Sequence, residues 1–399
     1  MSTHRRQQAL ILIGMVVLAF NLRPAAVSVG PVLSDIRGSL SMSATTAGVL
    51  TTLPVLSFAG FGALAPWAGR VLGVHRVMLI SLALAAAGLV IRSDAESSGV
   101  FIAATIPALA GMATANVLLP SLVKRHFPTQ IGLVTSIYTT ALAIGLTAAS
   151  TVTVPVGNAA GSWRGGLLVW AATAVLAALP WFGLLRHDVK PEVERRTAIT
   201  TSSVARSPLA WAMAVLFGTQ ALQAYAVFGW LPEIFRDAGY SAQTAGILLG
   251  VTTATSIPLS FLLPSLAVRR ANQAPLIVTL CSCYVVGYVG LIAAPYSGAW
   301  LWALLIGVGT ATFPLVLTLI GMRARTSDGT AALSGFAQSA GYLMAALGPF
   351  MMGAVSGATG GWTVPLVVLL VIVIPQVYVG LLVAKERYLE DELPTPRLT

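Results

Sequence analysis

The sequence is poor in charge, because only 9% of its 399 residues are Asp, Glu, Lys or Arg. Hydrophobic residues make up 56% of the chain and the mean hydropathy is +0.85, far from the composition of a soluble globular domain. Apolar stretches of about 20 residues recur along the chain, each long enough to cross a hydrocarbon layer of about 30 Å as a helix. This composition leaves no soluble domain of useful size and predicts an all-α polytopic membrane protein.

The chain is also poor in the residues that build metal and catalytic centres. Its two cysteines, Cys281 and Cys283, lie two apart in one apolar span and therefore point to different sides of a helix. The four histidines fall in predicted cytoplasmic loops, without metal-ligand spacing. No glycine-rich phosphate loop precedes a lysine, and no nucleophile motif occurs. We therefore expect no enzyme activity, no cofactor and no metal.

The net charge of +10 reflects topology rather than nucleic-acid binding. Basic pairs such as Lys124 with Arg125 and Arg269 with Arg270 fall in alternate loops. The intervening loops hold isolated arginines at positions 37, 92, 164 and 236. This alternation is typical of the positive-inside rule. It predicts a multi-pass protein of the cytoplasmic (inner) membrane with both termini in the cytoplasm.

Twelve spans are predicted, six on each side of the longest polar stretch. The first six cover about 9–35, 43–66, 76–93, 98–121, 129–154 and 164–185, and the second six about 208–235, 241–266, 275–294, 298–321, 329–355 and 362–383. The polar stretch is rich in Arg, Glu, Ser and Thr and predicts a cytoplasmic linker. The expected organisation is an N-terminal half at 1–185, a linker at 186–208 and a C-terminal half at 209–399.

A short internal repeat supports this division. Residues 43–50 (SATTAGVL) match residues 241–248 (SAQTAGIL) at six of eight positions, and both copies open the second span of their half with a serine suited to cap a helix. A chance match of Ala/Gly-rich strings is the alternative. Duplication predicts two parallel six-helix halves, an architecture in which substrate binds near the middle of the membrane between the halves.

Several strings carry a resemblance to a known family. The most specific is Asn21-Leu-Arg-Pro24 followed by Ser28-Val-Gly-Pro-Val-Leu33. Weaker strings are LPSLVKRHF at 119–127, WLP at 230–232 with SAQ at 241–243, FPL at 313–315, and GFAQ at 335–338 with GP at 348–349. Together they resemble the cyanate/nitroimidazole transporter (CynX/NimT-type) family of the major facilitator superfamily over essentially the whole chain. The resemblance implies the twelve-helix major facilitator fold and a small-molecule substrate such as cyanate or a nitroimidazole-like compound.

One loop departs from the superfamily pattern. After the second span the superfamily usually has an aspartate between two glycines, and here Gly62, Gly69 and Arg70 keep their places while Pro66 stands at the acidic position. The usual charge-stabilised cytoplasmic contact is therefore not expected in its ordinary form. Arg70 stays a candidate gating residue, because it can still bind carbonyl groups at a helix end.

Arg23 is the central candidate for substrate binding, since it lies in the middle of the first apolar span. An arginine at that depth costs about 3 kcal/mol on insertion scales, so that it usually faces a wet cavity or a partner. One interpretation is structural, with the guanidinium bonded to carbonyl groups freed near Pro24. The other is an anion clamp, because guanidinium donors suit planar or linear anions. Both can hold together.

Other polar and aromatic residues at mid-depth are expected to line the same cavity. They are Asn21, Tyr138, Gln223, Tyr225, Phe313, Gln338 and Tyr342. Gln338 and Tyr342 are four residues apart and share one helix face. A residue of this kind taken alone is more often a helix–helix contact than a ligand contact. As a set they fit a pocket with few polar groups in apolar walls.

Acidic residues are absent from the middle of every predicted span, and the chain shows no buried carboxylate relay of the kind found in proton pumps. Glu233, at the outer end of the seventh span, is a candidate gating residue with Arg236. We expect a carrier of a small anion or a small polar heteroaromatic compound that works by rocking of the two halves, for which a monomer in the lipid bilayer suffices. The alternative is a drug- or nitroimidazole-type efflux carrier for uncharged or cationic compounds.

Overall fold

The computed structural model describes residues 3–42, 44–185 and 201–393, and all regular structure in these ranges is helical. Twelve helical segments are long and apolar enough to cross a membrane, which confirms the predicted number of spans. The chain forms two compact units, Met1–Pro128 with Ile137–Ala198, and Thr129–Ser136 with Ile199–Thr399. Most of the predicted linker, residues 186–200, lies outside the described residues.

The first unit contains the helices of the first six spans. They are α1 (Thr3–Asn21), α2 (Pro24–Val27), α3 (Leu33–Ser39), α4 (Ala44–Leu72), α5 (Val74–Ser93), α6 (Ser98–His126), α7 (Ile131–Ala159) and α8 (Trp163–Leu184), with a 3₁₀ turn at Gly30–Val32 before α3. The beginning of α7 groups with the second unit, where the Ser136 and Ser265 hydroxyl oxygens lie 3.0 Å apart.

The second unit contains the last six spans. Its helices are α9 (Thr201–Val204), α10 (Pro208–Asp237), α11 (Ala242–Arg269), α12 (Ala274–Ala293), α13 (Ala299–Thr310), α14 (Thr312–Met322), α15 (Ser327–Ala345), α16 (Leu347–Thr359), α17 (Thr363–Ala384) and α18 (Leu389–Glu392). Within this unit α10 packs most extensively against α15 and α17.

Serine side chains define the starts of several spanning helices. The Ser97 hydroxyl accepts a hydrogen bond from Val100 N at the start of α6, and the Ser207 hydroxyl accepts one from Ala210 N at the start of α10. Ser241, in the second copy of the repeat, accepts one from Thr244 N and begins α11. These bonds satisfy amide groups that have no partner within the helix. The serine of the first copy, Ser43, lies outside the described residues.

Glycines allow α5 and α6 to pack closely in the first unit. A methyl group added to Gly88 would lie 2.6 Å from the Ala104 carbonyl oxygen, and one added to Gly111 would overlap the Ser81 carbonyl oxygen. Small residues let helix backbones approach each other in membrane proteins, where the hydrophobic effect does not drive helices together. This contact fixes α5, whose last turn reaches the segment after Arg23.

Three predicted spans are not single helices. The first is interrupted at Leu22–Arg23 and again after Val27, the tenth at Ala311, and the eleventh at Ala346. Each interruption lies within three residues of a proline on its C-terminal side: Pro24, Pro31, Pro314 or Pro349. Proline lacks the backbone N–H and clashes with the preceding turn, so that these positions are the expected places for a helix to break.

Several residues expected in loops lie in helices, among them Arg37 in α3, Arg164 in α8 and Arg236 in α10. Two further ones are also buried. Arg92, expected in a loop, lies in the last turn of α5 and is fully buried. His75, also expected in a loop, is a buried residue of α5 whose ring centroid lies 5.2 Å from that of His126, the last residue of α6. In both cases the helix extends further into a polar stretch than its apolar run indicates, because the polar side chain finds partners inside the unit.

Candidate functional site

Arg23 lies at the first interruption of the first span. Leu22 N donates to the Ala19 carbonyl oxygen at 3.1 Å, which tightens the end of α1. Pro24 is then the first residue of α2, where its missing N–H and fixed φ are tolerated. The Arg23 carbonyl oxygen accepts from Ala26 N and Val27 N, both at 3.0 Å. The sequence Arg-Pro therefore ends one helix and begins the next with the arginine at the junction.

The Arg23 side chain is half-buried. Its guanidinium carbon lies 5.7 Å from the ring centroid of Phe58, a buried residue of α4. A cation over an aromatic face within about 6 Å is attracted by the ring. The guanidinium is thus in contact with an aromatic ring, and its fork of donors suits a planar or linear anion.

Asn21, predicted beside Arg23, makes contacts between helices. Its Nδ2 donates to the Val17 carbonyl oxygen at 2.8 Å and to the Thr173 carbonyl oxygen at 3.3 Å. Its Oδ1 accepts from the Thr173 hydroxyl at 2.8 Å. These bonds join α1 to α8, as the helix–helix interpretation of Asn21 predicts. Asn21 therefore fixes the end of α1 immediately before the interruption.

Tyr138, also in the first unit, is almost completely buried on α7. Its hydroxyl has no hydrogen-bond partner among the described residues. A buried polar atom without a partner costs free energy, and such atoms are usually satisfied by water or a ligand. Tyr138 thus keeps its place as a candidate substrate residue.

In the second unit, three of the predicted residues meet around Phe217 of α10. The Phe217 ring centroid lies 5.0 Å from that of Tyr342 on α15 in an edge-on contact, and 6.0 Å from that of Phe313 on α14. Tyr225, two turns after Phe217, has its ring centroid 6.5 Å from that of Tyr342. We call Phe217, Tyr225, Phe313 and Tyr342 the aromatic cluster. Such edge-on and tilted contacts are the preferred geometry of aromatic rings.

Gln338 lies one turn before Tyr342 on α15, as the spacing predicts. It is fully buried, and its Nε2 donates to the Ser334 hydroxyl at 2.7 Å. Gln338 and Ser334 are therefore the polar groups on the helix face that carries Tyr342.

Gln223 forms a hydrogen bond with another helix of the second unit, α17. Its Nε2 lies 2.5 Å from Oε1 of Gln376 on α17, and both side chains are fully buried. One turn earlier, Gln220 Nε2 donates to the Thr310 carbonyl oxygen at 3.3 Å, at the interruption between α13 and α14. These amides connect α10 to α17 and α13, so that Gln223 is placed as a helix–helix contact.

The three predicted gating residues lie near helix ends. Glu233 and Arg236, in the last two turns of α10, form an ion pair of 3.4 Å with about half of each side chain exposed. An exposed pair of this kind contributes about 0–1 kcal/mol. Arg70 lies in the last turn of α4, and Pro66 is inside the same helix. Among the described residues, no group of three His, Cys, Asp or Glu could hold a metal.

Sequence reasoning missed Phe217, Thr173, Gln376 and Arg92. Phe217 had no distinguishing signal, since a phenylalanine in an apolar helix is as often exposed to lipid. Gln376 and Thr173 had a weak one, because polar residues inside apolar spans usually bond to another helix.

The sequence is similar to known proteins over most of its length. Residues 10–349 match the Major Facilitator Superfamily. The chain is 38% identical to "Uncharacterized transporter YycB" of Bacillus subtilis (strain 168), over 95% of this chain and 94% of that protein. It is 34% identical to "2-nitroimidazole transporter" of Escherichia coli (strain K12), over 96% and 97%. It is 28% identical to "Cyanate transport protein CynX" of the same organism, over 88% and 91%.

The fold also matches a solved structure. The proton:xylose symporter XylE, bound to 6-bromo-6-deoxy-D-glucose, superposes with a TM-score of 0.76 over 98% of each chain. The identity is 15%, so that this likeness concerns the fold alone.

Proposed function

Because the chain belongs to the Major Facilitator Superfamily and is a multi-pass membrane transporter, we propose that it moves a small anion, cyanate-like or a small carboxylate, or a small polar heteroaromatic compound. Arg23 binds the anion, and the two halves alternate in exposing it to either side of the cytoplasmic membrane. Both termini lie in the cytoplasm, since the basic residues collect in the loops on that side.

The observation that carries this proposal is the position of Arg23. It lies at a break within the apolar segment Gln7–Val32, and transporters commonly bind substrate where a spanning helix is discontinuous. No acidic residue lies in the middle of a predicted span, so that an anionic substrate is electrostatically suited to a guanidinium at this depth. Relatives named for cyanate and for 2-nitroimidazole support a small planar or linear substrate.

The membrane potential constrains the direction of transport. A potential of 100 mV, negative inside, opposes entry of one negative charge by about 2.3 kcal/mol. Without a coupled ion the carrier therefore favours anion efflux. Net uptake requires exchange, proton cotransport or rapid consumption of the substrate inside the cell.

The aromatic cluster favours a second candidate, an efflux carrier for uncharged ring compounds of the nitroimidazole type. Four rings and the buried amide of Gln338 in one unit suit a flat, weakly polar ligand. A cationic substrate fits less well, because Arg23 would repel it.

The test is the thermal stability of the purified protein with cyanate, nitrate, small carboxylates, aromatic carboxylates, 2-nitroimidazole and a cationic drug. A ligand that binds the native state and not the unfolded state raises the melting temperature, and the stabilisation grows with the logarithm of the ligand concentration above its dissociation constant. We expect one anion class to stabilise the wild type and to lose this effect in Arg23→Gln, with partial retention in Arg23→Lys. Arg269→Gln, an exposed arginine at the end of α11, is the matched control and should behave as the wild type.

Two outcomes contradict the anion proposal. Stabilisation by an anion that persists in Arg23→Gln would make Arg23 structural. Stabilisation only by 2-nitroimidazole or the cationic drug, reduced by Tyr342→Ala and not by Arg23→Gln, would favour the second candidate.

A further inference from the structure

Arg92 is a buried cation that the proposed mechanism does not use. It lies in the last turn of α5 with none of its surface exposed. A guanidinium removed from water is costly unless its donors are satisfied. The ion pairs found among the described residues involve Arg236, Arg325 and Arg387. Arg92 has neutral partners for its two terminal nitrogens, and its Nε has no hydrogen-bond partner among the described residues.

The partners of Arg92 are two neutral oxygens on the segment that follows Arg23. One terminal nitrogen donates to the Ala25 carbonyl oxygen at 2.7 Å, and the other to the Ser28 hydroxyl at 3.2 Å. The guanidinium carbon also lies 5.7 Å from the ring centroid of Phe101 on α6. Arg92 thus connects α5 to both ends of residues 25–28.

This segment cannot hold its own conformation. The helix α2 has four residues, and a single helical turn is unstable in isolation because few bonds offset the cost of fixing the backbone. It is interrupted on both sides, at Leu22–Arg23 and after Val27. Its orientation, and with it the direction of the Arg23 side chain at its start, must therefore be fixed by contacts from other helices.

A cavity lies along the same segment. It has a volume of about 240 Å³ and is lined by residues 25–27, 29, 30 and 33 together with Leu50, Pro54 and Thr105. The lining is mostly apolar, and its one hydroxyl side chain, Thr105, donates to the Phe101 carbonyl oxygen rather than to the segment. The segment therefore has room to shift when its hydrogen bonds to Arg92 are lost.

The end of α5 that carries Arg92 is itself fixed. One terminal nitrogen of Arg164, at the start of α8, donates to the Ser93 and Ala95 carbonyl oxygens at 3.0 and 2.8 Å. The Arg164 guanidinium carbon lies 4.7 Å from the Trp163 ring centroid. Arg92 is thus attached to a rigid helix end and can transmit that rigidity to residues 25–28.

We infer that Arg92 is a positioning residue for substrate binding, which holds the interrupted segment so that Arg23 is presented to the anion. This inference rests on the proposed role of Arg23 as the anion-binding residue. It predicts that Arg92 affects substrate affinity without touching substrate, through the geometry of residues 24–28.

The experiment compares Arg92→Lys and Ser28→Ala with Arg323→Lys. Arg323 is the matched control, because it is also buried and donates to carbonyl oxygens at a helix end, Val383 at 2.8 Å and Ala384 at 3.0 Å. Two quantities are measured: hydrogen exchange of the amides of residues 25–30, and the dissociation constant for cyanate from thermal shifts.

We expect Arg92→Lys to accelerate amide exchange in residues 25–30 and to weaken cyanate binding roughly tenfold. Ser28→Ala should act in the same direction with a smaller effect, which keeps the test informative if Arg92→Lys folds poorly. Arg323→Lys should lower the melting temperature and leave both quantities unchanged. In Arg23→Lys, which retains part of the binding, adding Arg92→Lys should weaken cyanate binding less than it does in the wild type, because Arg92 acts through the contact between residue 23 and the anion.

The outcomes separate this inference from the proposed function. Unchanged exchange in both Arg92→Lys and Ser28→Ala overturns the inference whatever the substrate is. Faster exchange with unchanged cyanate affinity, while Arg23→Gln abolishes binding, overturns the positioning role alone. Cyanate binding that persists in Arg23→Gln contradicts the anion-binding role of Arg23, and with it any route from Arg92 to the substrate.

Discussion

The first membrane span of each unit contains a proline, but only the span of the first unit is interrupted. In the first unit α1 ends at Asn21 and α2 begins at Pro24, whereas in the second unit α10 runs for 30 residues with Pro232 inside it. A proline removes one backbone donor and crowds the preceding turn, yet here it does not by itself end a helix. An interruption also needs partners for the carbonyl groups that it frees.

The two units satisfy those carbonyl groups with different chemistry. In the first unit the Ala25 carbonyl oxygen accepts from the buried cation Arg92. In the second, at the break between α13 and α14, the Thr310 carbonyl oxygen accepts from the neutral amide of Gln220. The first unit therefore concentrates positive charge at its discontinuity, and the second offers neutral amides and aromatic rings. Under the proposed function, this difference favours the first unit as the one that binds the anion.

Removing the interruption should have the largest effect. Pro24→Ala restores the missing N–H and allows α1 to continue, which turns the Arg23 side chain away from its present direction. We expect transport of the preferred anion into proteoliposomes to fall about tenfold or more, which corresponds to at least about 1.4 kcal/mol, with an equal or higher melting temperature. Pro232→Ala in the uninterrupted α10 is the control and should transport nearly as the wild type. Wild-type transport by Pro24→Ala would show that the break is not needed.

Protein stability should also be sensitive to substitution of the glycines that pack against the first helix of each unit. A methyl group on Gly145 of α7 would overlap the Phe20 carbonyl oxygen, and one on Gly348 of α16 would lie 2.6 Å from the Leu222 carbonyl oxygen. Backbone atoms cannot move aside cheaply, so that Gly145→Ala and Gly348→Ala should each cost about 1–3 kcal/mol in chemical denaturation. Gly250→Ala, which meets no atom within 4 Å, is the control.

Equal costs at Gly145 and Gly348 would mean that the interruption does not alter how tightly the first helix is packed. A negligible cost at Gly145 alone would show that the end of α1 moves aside to accommodate the methyl group. In that case α1 would be less rigidly packed than α10.

The neutral hydrogen-bonded pairs between helices should contribute less to stability than the glycine contacts. Asn21 bonds Thr173 in the first unit and Gln223 bonds Gln376 in the second. Double-mutant cycles with Asn21→Leu and Thr173→Val, and with Gln223→Leu and Gln376→Leu, should each give a coupling energy of about 0.6 kcal/mol in unfolding, as is typical between membrane helices. Loss of cyanate binding in Asn21→Leu, without coupling to Thr173, would instead indicate that Asn21 binds substrate.

Much of the fold was predictable, because long apolar runs are sufficient to locate spanning helices. The twelve spans are confirmed, although the first was predicted as one stretch, 9–35, and is interrupted beside Pro24. The residues that meet within the second unit were found only in part: Tyr225, Phe313 and Tyr342 stand out in an apolar sequence, whereas Phe217 does not. Arg92 was misplaced because it stands two residues from Asp94 at the edge of an apolar run, a pattern typical of a loop. Its partners, a carbonyl oxygen and a hydroxyl some 65 residues away, have no sequence signal.

The smallest effect is expected at the exposed end of the second unit, where arginine pairs with carboxylates. Arg325 binds Asp391 of α18, and this hydrogen bond holds the pKa of the Asp391 carboxyl below its ordinary value of 3.8. A depressed carboxyl pKa contributes stability that is present above the ordinary value and is lost as the pH falls through the folded value. The melting temperatures of the wild type and Asp391→Asn should therefore differ slightly at about pH 6 and converge below about pH 3. Arg92→Lys should show no such convergence, because the carbonyl and hydroxyl oxygens that bind Arg92 do not titrate in this range. A difference in melting temperature for Asp391→Asn that stays constant with pH would mean that the exposed Arg325–Asp391 pair does not stabilise the protein through the charge of Asp391.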